Sequence, residues 1–143
     1  MSLKNGRLLG AQLILIGALL ITGRLLAAPP WIWLELAGLV LVTWAVFTIK
    51  PQRVNPFPDV RPNAKLMTHG PYRWIRHPMY TGVLLTMLAL VLDKLTVERG
   101  AIWMILLVNL LMKLNYEETL LTRRFPEYAA YRQRTRKLLP FIY

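Results

Sequence analysis

The chain alternates between long apolar runs and short polar or basic interruptions. Leu8–Ala28 is apolar apart from Gln12, Thr22 and Arg24, and Trp31–Ile49 carries Glu35 as its one charge. Each run approaches the roughly 20 residues that a helix needs to cross a bilayer. Pro29 and Pro30 lie between them and predict a tight turn, because neither can continue a helix. A third, shorter run covers Met79–Leu92. A fourth, Ala101–Tyr116, follows a charged turn at Asp93–Gly100. The pattern predicts helices at about 8–28, 31–49, 79–92 and 101–116, in an all-α integral membrane protein that forms one domain over residues 1–143. Lys4 and Arg7 followed by an apolar run also fit a signal peptide, but the length of the run and the prolines behind it favour a retained span. Glu35 falls near the first turn of the second helix, where the dipole tolerates an acid, and reads as a residue at headgroup level.

Two stretches depart from this pattern. Lys50–Gly70 holds Pro51, Pro56, Pro58 and Pro62 and reads as an extended loop. Loops of about twenty residues are uncommon and often functional. Gly70–Gly82, GPYRWIRHPMYTG, packs two arginines, a histidine and three aromatic residues between apolar blocks. Gly70-Pro71 marks a turn, and Pro78 suits the first position of the helix that follows. Such a helix start offers backbone N–H groups and a positive dipole end to an anion. The plainer reading is a basic, aromatic anchor at the membrane interface.

Composition narrows the classes. Of 143 residues, 55% are hydrophobic and 17% charged, more apolar than an average soluble domain. The net charge of +11 would suggest nucleic acid in a soluble protein. Here the basic residues cluster between apolar runs and in the tail, so anionic headgroups account for them and nucleic acid is not needed. The absence of cysteine excludes disulfides, thiolate metal sites and a cysteine nucleophile. His69 and His77, the only histidines, make no metal site. Two Lys and Arg precede the first run, six lie in 50–78 and seven from Lys113 onward, against Arg24, Lys94 and Arg99 on the other side. The positive-inside rule then places both termini, the central loop and the tail in the cytoplasm of a multi-pass plasma-membrane protein. Gly10 and Gly17 are seven apart and Gly38 is isolated along the chain, and no protein partner is evident.

The fourth helix carries Asn109, Lys113 and Glu117 at i, i+4 and i+8, an amide, a cation and an acid on one stripe. Ionisable residues at the edge of a membrane helix commonly face protein or a water-filled cavity. An ion pair with Lys113 snorkelling to the headgroups is the alternative. Glu118 points about 100° away from the stripe. The end of this helix lies on the same side as the Gly70–Pro78 loop, so a ligand of mixed charge close to the lipid fits between them. Phe125-Pro126 predicts a turn. Glu127–Lys137 then forms a short amphipathic helix that folds Tyr128, Tyr131, Arg132 and Arg134 over the site.

The stretches GPYRWIRHPMYTG and EETLLTRRFPEYAAYRQRTRKLLPFIY resemble the paired motifs of the isoprenylcysteine carboxyl methyltransferase family, which includes prokaryotic membrane enzymes and is similar to phospholipid N-methyltransferases. The resemblance covers roughly Ala64–Tyr143 and rests on R-H-P-x-Y, then E-E, then F-x-E-Y-x-x-Y. It implies S-adenosylmethionine as methyl donor and a lipophilic, membrane-resident acceptor, either carboxylate or amine. Leu66 and Met67 match part of the family's cofactor strip, Tyr72 its cofactor-contacting tyrosine, and His77, Pro78, Met79 and Tyr80 its H-P-x-Y segment. Glu117 matches its cofactor-binding acid. Lys113 falls where the eukaryotic enzymes carry a substrate-contacting arginine, keeping the charge without the bidentate fork. A carboxylate acceptor needs no base; for an amine, Glu118 or His77 is the candidate. No G-x-G occurs, so the donor is not held as in soluble doubly wound methyltransferases.

Sterol-type double-bond reductases using NADPH carry a similar C-terminal half, including R-H-P-x-Y and an ending like LLPFIY. A membrane subunit without chemistry is the third reading.

Overall fold

The structure, a computed structural model, describes residues 3–49 and 66–139. Residues 50–65, most of the predicted proline-rich loop, and the last four residues, which end LLPFIY, lie outside the described residues. Those described form five α-helices and no strand: α1 (Leu3–Ile21), α2 (Trp31–Ile49), α3 (Pro78–Asp93), α4 (Val97–Arg124) and α5 (Tyr128–Arg134). A 3-10 turn, Gly70–Arg73, precedes α3.

The helix ends have local causes. α1 stops at Ile21 rather than running to 28. Gly23 follows, at a point where a Cβ would lie 2.6 Å from the Arg99 guanidinium. The backbone N–H groups past this end are capped by carboxylates from elsewhere. Ala27 N donates to Glu35 Oε2 at 2.8 Å, and Ala28 N to Asp93 Oδ1 at 2.7 Å. Glu35 is therefore buried beneath the Pro29–Pro30 corner, 3% exposed, and bonded within the protein. α4 begins four residues before 101 because Thr96 caps it, its hydroxyl accepting from Arg99 N at 3.3 Å. It runs eight residues past 116, since nothing breaks a helix before Phe125-Pro126.

Four helices alternate in direction. α1 lies antiparallel to α4: Asn109 Nδ2 donates to the Leu8 carbonyl near one end (3.1 Å), and Arg99 Nη1 to the Leu19 carbonyl near the other (2.8 Å). Arg99 is 2% exposed and also binds Thr22 Oγ1 and the Leu90 carbonyl, tying α1, α3 and α4 together. Leu19, Leu84, Leu90, Leu106, Leu110 and Leu114 fill the space between these helices. α2 and α3 approach closely through glycines. A Cβ on Gly38 would lie 2.7 Å from the Gly82 carbonyl, and one on Gly82 would lie 2.7 Å from the Gly38 carbonyl. Small residues of this kind let helix backbones meet.

The outside is apolar. Leu13, Ile14, Val40, Phe47, Ile105 and Val108 are among the large hydrophobic residues exposed on α1, α2 and α4. Among the described residues α2 alone is long and apolar enough to cross a membrane by itself, and 17% of its apolar window is buried.

Candidate functional site

One end of the bundle gathers the loop before α3, the start of α3, the last turns of α4, and α5. Gly70 has φ +60, a conformation glycine adopts without strain, and packs against Thr48 at the end of α2. The 3-10 turn that follows buries Pro71 and Tyr72. Pro78 occupies the first position of α3 with His77 as its cap, so the His77 and Tyr80 rings stack, 5.6 Å apart and 7° from parallel.

The N-terminus of α3 is less open to an anion than the sequence suggested. Pro78 carries no N–H, and Tyr80 N and Thr81 N both donate to the His77 carbonyl at 3.1 Å. Met79 is left with the remaining first-turn N–H group.

Two consecutive acids of α4 face this segment. The Tyr80 hydroxyl donates to Glu117 Oε1. Glu117 Oε2 lies 3.6 Å from His77 Nδ1, and Glu118 Oε1 lies 3.4 Å from His77 Nε2. His77 thus sits between two carboxylates, and its buried Nε2 makes no hydrogen bond. Glu118 is not turned away from the site, as rotation from the stripe implied. It is the more buried of the two acids, because Arg76 and His77 reach α4 from the loop side while Tyr80 reaches it from α3. Arg76 Nε donates to Glu118 Oε1 at 2.6 Å. Burial alone would raise the Glu118 pKa, but His77 and Arg76 outweigh it and hold the carboxyl at about 2. So engaged, the carboxyl stays ionised at neutral pH.

Lys113 and Asn109 share the predicted stripe but face α1. Lys113 is 2% exposed; its Nζ donates to Gln12 Oε1 at 3.0 Å and lies 5.2 Å from the centre of the Tyr80 ring. It therefore borders the cluster from inside the bundle, through Tyr80. Gln12, in a helix that the motifs do not cover, was not singled out as its partner; one amide in a long apolar run is the signal that could have found it.

The tail closes the other side. Tyr128, Tyr131 and Phe125 form a small buried group on which Leu66 and Leu121 pack. Met67, next to Leu66, is half-buried. The Tyr131 hydroxyl donates to the Tyr72 carbonyl at 2.6 Å. Burial pushes its pKa up to about 12, and burial raises those of Tyr72 and Tyr128 further, so all three stay neutral. Beyond α5 the backbone pairs with the loop like a short parallel strand. Arg136 N donates to the Trp74 carbonyl at 3.0 Å, Arg76 N to the Arg136 carbonyl at 2.7 Å, and His77 N to the Lys137 carbonyl at 3.1 Å. Arg132 approaches Glu118 at 4.0 Å, and Arg134 stays exposed. Among the described residues no group of three acids or histidines could hold a metal.

Tyr72, His77, Pro78, Met79, Tyr80, Glu117 and Glu118 thus meet in one cluster, with Leu66 and Met67 at its edge and Lys113 behind it. No curated protein and no solved structure gives a match. The sequence pattern of the phospholipid methyltransferase family matches residues 32–128, from the start of α2 to the start of α5, and takes in this whole cluster. By that match the chain belongs to the phospholipid methyltransferase family, a family of membrane-associated methyltransferases.

Proposed function

We propose that the chain transfers a methyl group from S-adenosylmethionine to a lipophilic, membrane-resident acceptor at the cytoplasmic membrane face. The single observation that carries this reading is the meeting of Glu117, His77 and the Tyr80 ring at one end of a bundle with apolar outer faces. The donor presents a sulfonium, an ammonium and a carboxylate, and the residues fit that set. Glu117 is a partly exposed carboxylate for the ammonium. The Tyr72 ring suits the sulfonium, while the Tyr80 ring is engaged by His77 and Lys113. The Met79 N–H at the start of α3 is a polar group suited to the carboxylate. When bound, the donor supplies an activated methyl group for in-line displacement.

The protein's part is to hold and orient. Stacking of His77 on Tyr80, and the Tyr80–Glu117 hydrogen bond, fix three side chains as one unit, and positioning supplies much of the rate in such a displacement. Lys113, buried behind Tyr80, anchors the acceptor side. A carboxylate acceptor needs no proton removed; for an amine, Glu118 or His77 is the candidate base.

The membrane reading rests on the same surface. A large contiguous apolar exterior marks lipid contact. α2 spans the bilayer. α1 and α3 carry the shorter apolar stretches Gly6–Ile21 and Pro78–Asp93, with α3 about 24 Å long against a core of about 30 Å. With four alternating helices, the Lys and Arg distribution supports a cytoplasmic Arg76 end. Titration of detergent-purified protein with labelled S-adenosylmethionine and, separately, NADPH tests the proposal. Saturable binding of the first alone supports it; binding of NADPH alone indicates a double-bond reductase, and binding of neither a subunit without chemistry.

A further inference from the structure

Glu118 and Arg76 are buried charges whose work the methyl transfer itself does not explain. Arg76 is the hub. Its side chain is 7% exposed and joins two elements, α4 and the end of α5. Nε reaches Glu118 on α4. Nη1 donates to the Thr135 carbonyl at 2.6 Å and to the Arg132 carbonyl at 3.2 Å, at the C-terminal end of α5. The last carbonyls of a helix lack intrahelical donors, and a guanidinium fork satisfies two of them at once. Three further bonds secure the same stretch. Arg76 and His77 donate backbone N–H groups to the Arg136 and Lys137 carbonyls, and Thr81 Oγ1 donates to the Leu138 carbonyl at 2.7 Å. The segment 135–138 is thereby bound along the residues that lead into His77 and α3.

From this geometry we infer that Arg76 and Glu118 are positioning residues for the donor site: their ion pair latches the 128–138 segment onto the loop, and the docked segment holds His77 and Tyr72 in place. Glu118 fixes Arg76, and Arg76 fixes the end of α5. Tyr131 on α5 holds the Tyr72 carbonyl, and the strand-like pairing holds the backbone of His77. None of these contacts requires Glu118 or Arg76 to touch the reacting groups. The inference rests on the proposed donor site for its functional half only; the latch itself is a property of the protein without ligand.

The tail offers its own reporter. Arg132, Arg134 and Arg136 are exposed side chains on a backbone held by these bonds, so trypsin cleaves there only when the segment lifts. Glu118→Gln and Arg76→Met in the full chain should each speed cleavage at 132–137 by tenfold or more. Each should weaken S-adenosylmethionine binding by a similar factor, and the double variant should be little worse than either single one. Thr81→Val, which removes one tail bond and keeps the volume, should speed cleavage a few-fold with a matching small loss of affinity, and keeps the test open if the buried-charge variants fail to fold. Glu118→Gln with wild-type cleavage and affinity, but reduced turnover and an altered pH–rate profile, would overturn the inference and mark Glu118 as a base. Faster cleavage with unchanged donor affinity would overturn it as well, leaving the tail without a role in the site. A parent protein that binds no donor refutes the proposed function, while the cleavage comparison still decides the latch.

Discussion

Replacing Gly82 by alanine tests how the bundle sets the position of the site. The new Cβ would lie 2.7 Å from the Gly38 carbonyl oxygen and 2.5 Å from Val42 Cγ2. The valine can turn; the α2 backbone cannot. Reaching an ordinary contact of 3.4 Å requires α3 to move from α2 by roughly 0.7 Å. Overpacking of this kind costs about 1–3 kcal/mol, and alanine returns about 0.5–1 kcal/mol through helix propensity. The net loss is about 0.5–2 kcal/mol, a melting shift of about 2–8 °C downward for a chain of this size. Tyr80 and His77 lie within the first turns of the same helix and move with it. A displacement near 1 Å costs up to about a hundredfold in rate, so a fall of about tenfold in methyl transfer is expected. Gly17→Ala is the control: nothing lies within 4 Å of its Cβ, and it should leave melting unchanged or raise it slightly. Thermal melting in detergent and labelled-methyl transfer measure both. If Gly82→Ala melts as high as Gly17→Ala, the close approach of α2 and α3 is refuted.

Glu117→Gln should weaken S-adenosylmethionine binding about ten- to a hundredfold, the worth of a partly buried charge-assisted bond of roughly 1.5–3 kcal/mol, as read by donor titration. Lys113→Met should leave that affinity unchanged and lower turnover, which equilibrium binding and initial rates separate. Glu118 is held at about 2 against an ordinary 4.5, so the unfolded chain binds the extra proton between these values. Its stabilising contribution is complete above about pH 4.5 and fades as the pH falls towards 2; the melting difference between the parent and Glu118→Gln should follow that course. Arg99→Met leaves the Leu19 and Leu90 carbonyls without their donor and should cost about 2–4 kcal/mol in stability, seen as a lower melting temperature with donor affinity retained in the folded fraction.

The apolar runs made the four long helices legible, and Pro78 located the start of α3. Boundaries set by distant partners were not legible. The end of α1 depends on Gly23 facing Arg99, and the burial of Glu35 on an N–H group at Ala27 that exists only once the chain has turned. Gly38 looked isolated along the chain, because its partner, Gly82, lies on another helix. In the site, the family resemblance singled out Tyr72, His77, Tyr80 and Glu117, which the structure brings together. Glu118 faces the cluster although rotation about the helix axis turns it from the stripe, because the loop carrying Arg76 and His77 wraps that side of α4. Arg76 looked like one more membrane-flanking cation; its engagement with α5 carbonyls has no sequence signature, since backbone acceptors are the same for every residue.

The bonds between α1 and α4 bear on how such a protein reaches the membrane. Under the proposed topology α4 carries Arg99 and Lys113 at or near the two ends of its span, and a Lys or Arg placed centrally adds about 2.5–3.5 kcal/mol to helix insertion. Both find polar partners on α1, Leu19 and Thr22 for one and Gln12 for the other, the latter pair 101 residues apart in sequence. By the time the ribosome completes α4, α1 has long been made and waits in the lipid with these acceptors exposed. On that topology α4 would enter not as an independent span but against a receiving helix, the first helix serving as its internal chaperone. Removing its polar acceptors, Gln12 above all, should appear first as misinsertion during synthesis rather than as a weaker mature enzyme.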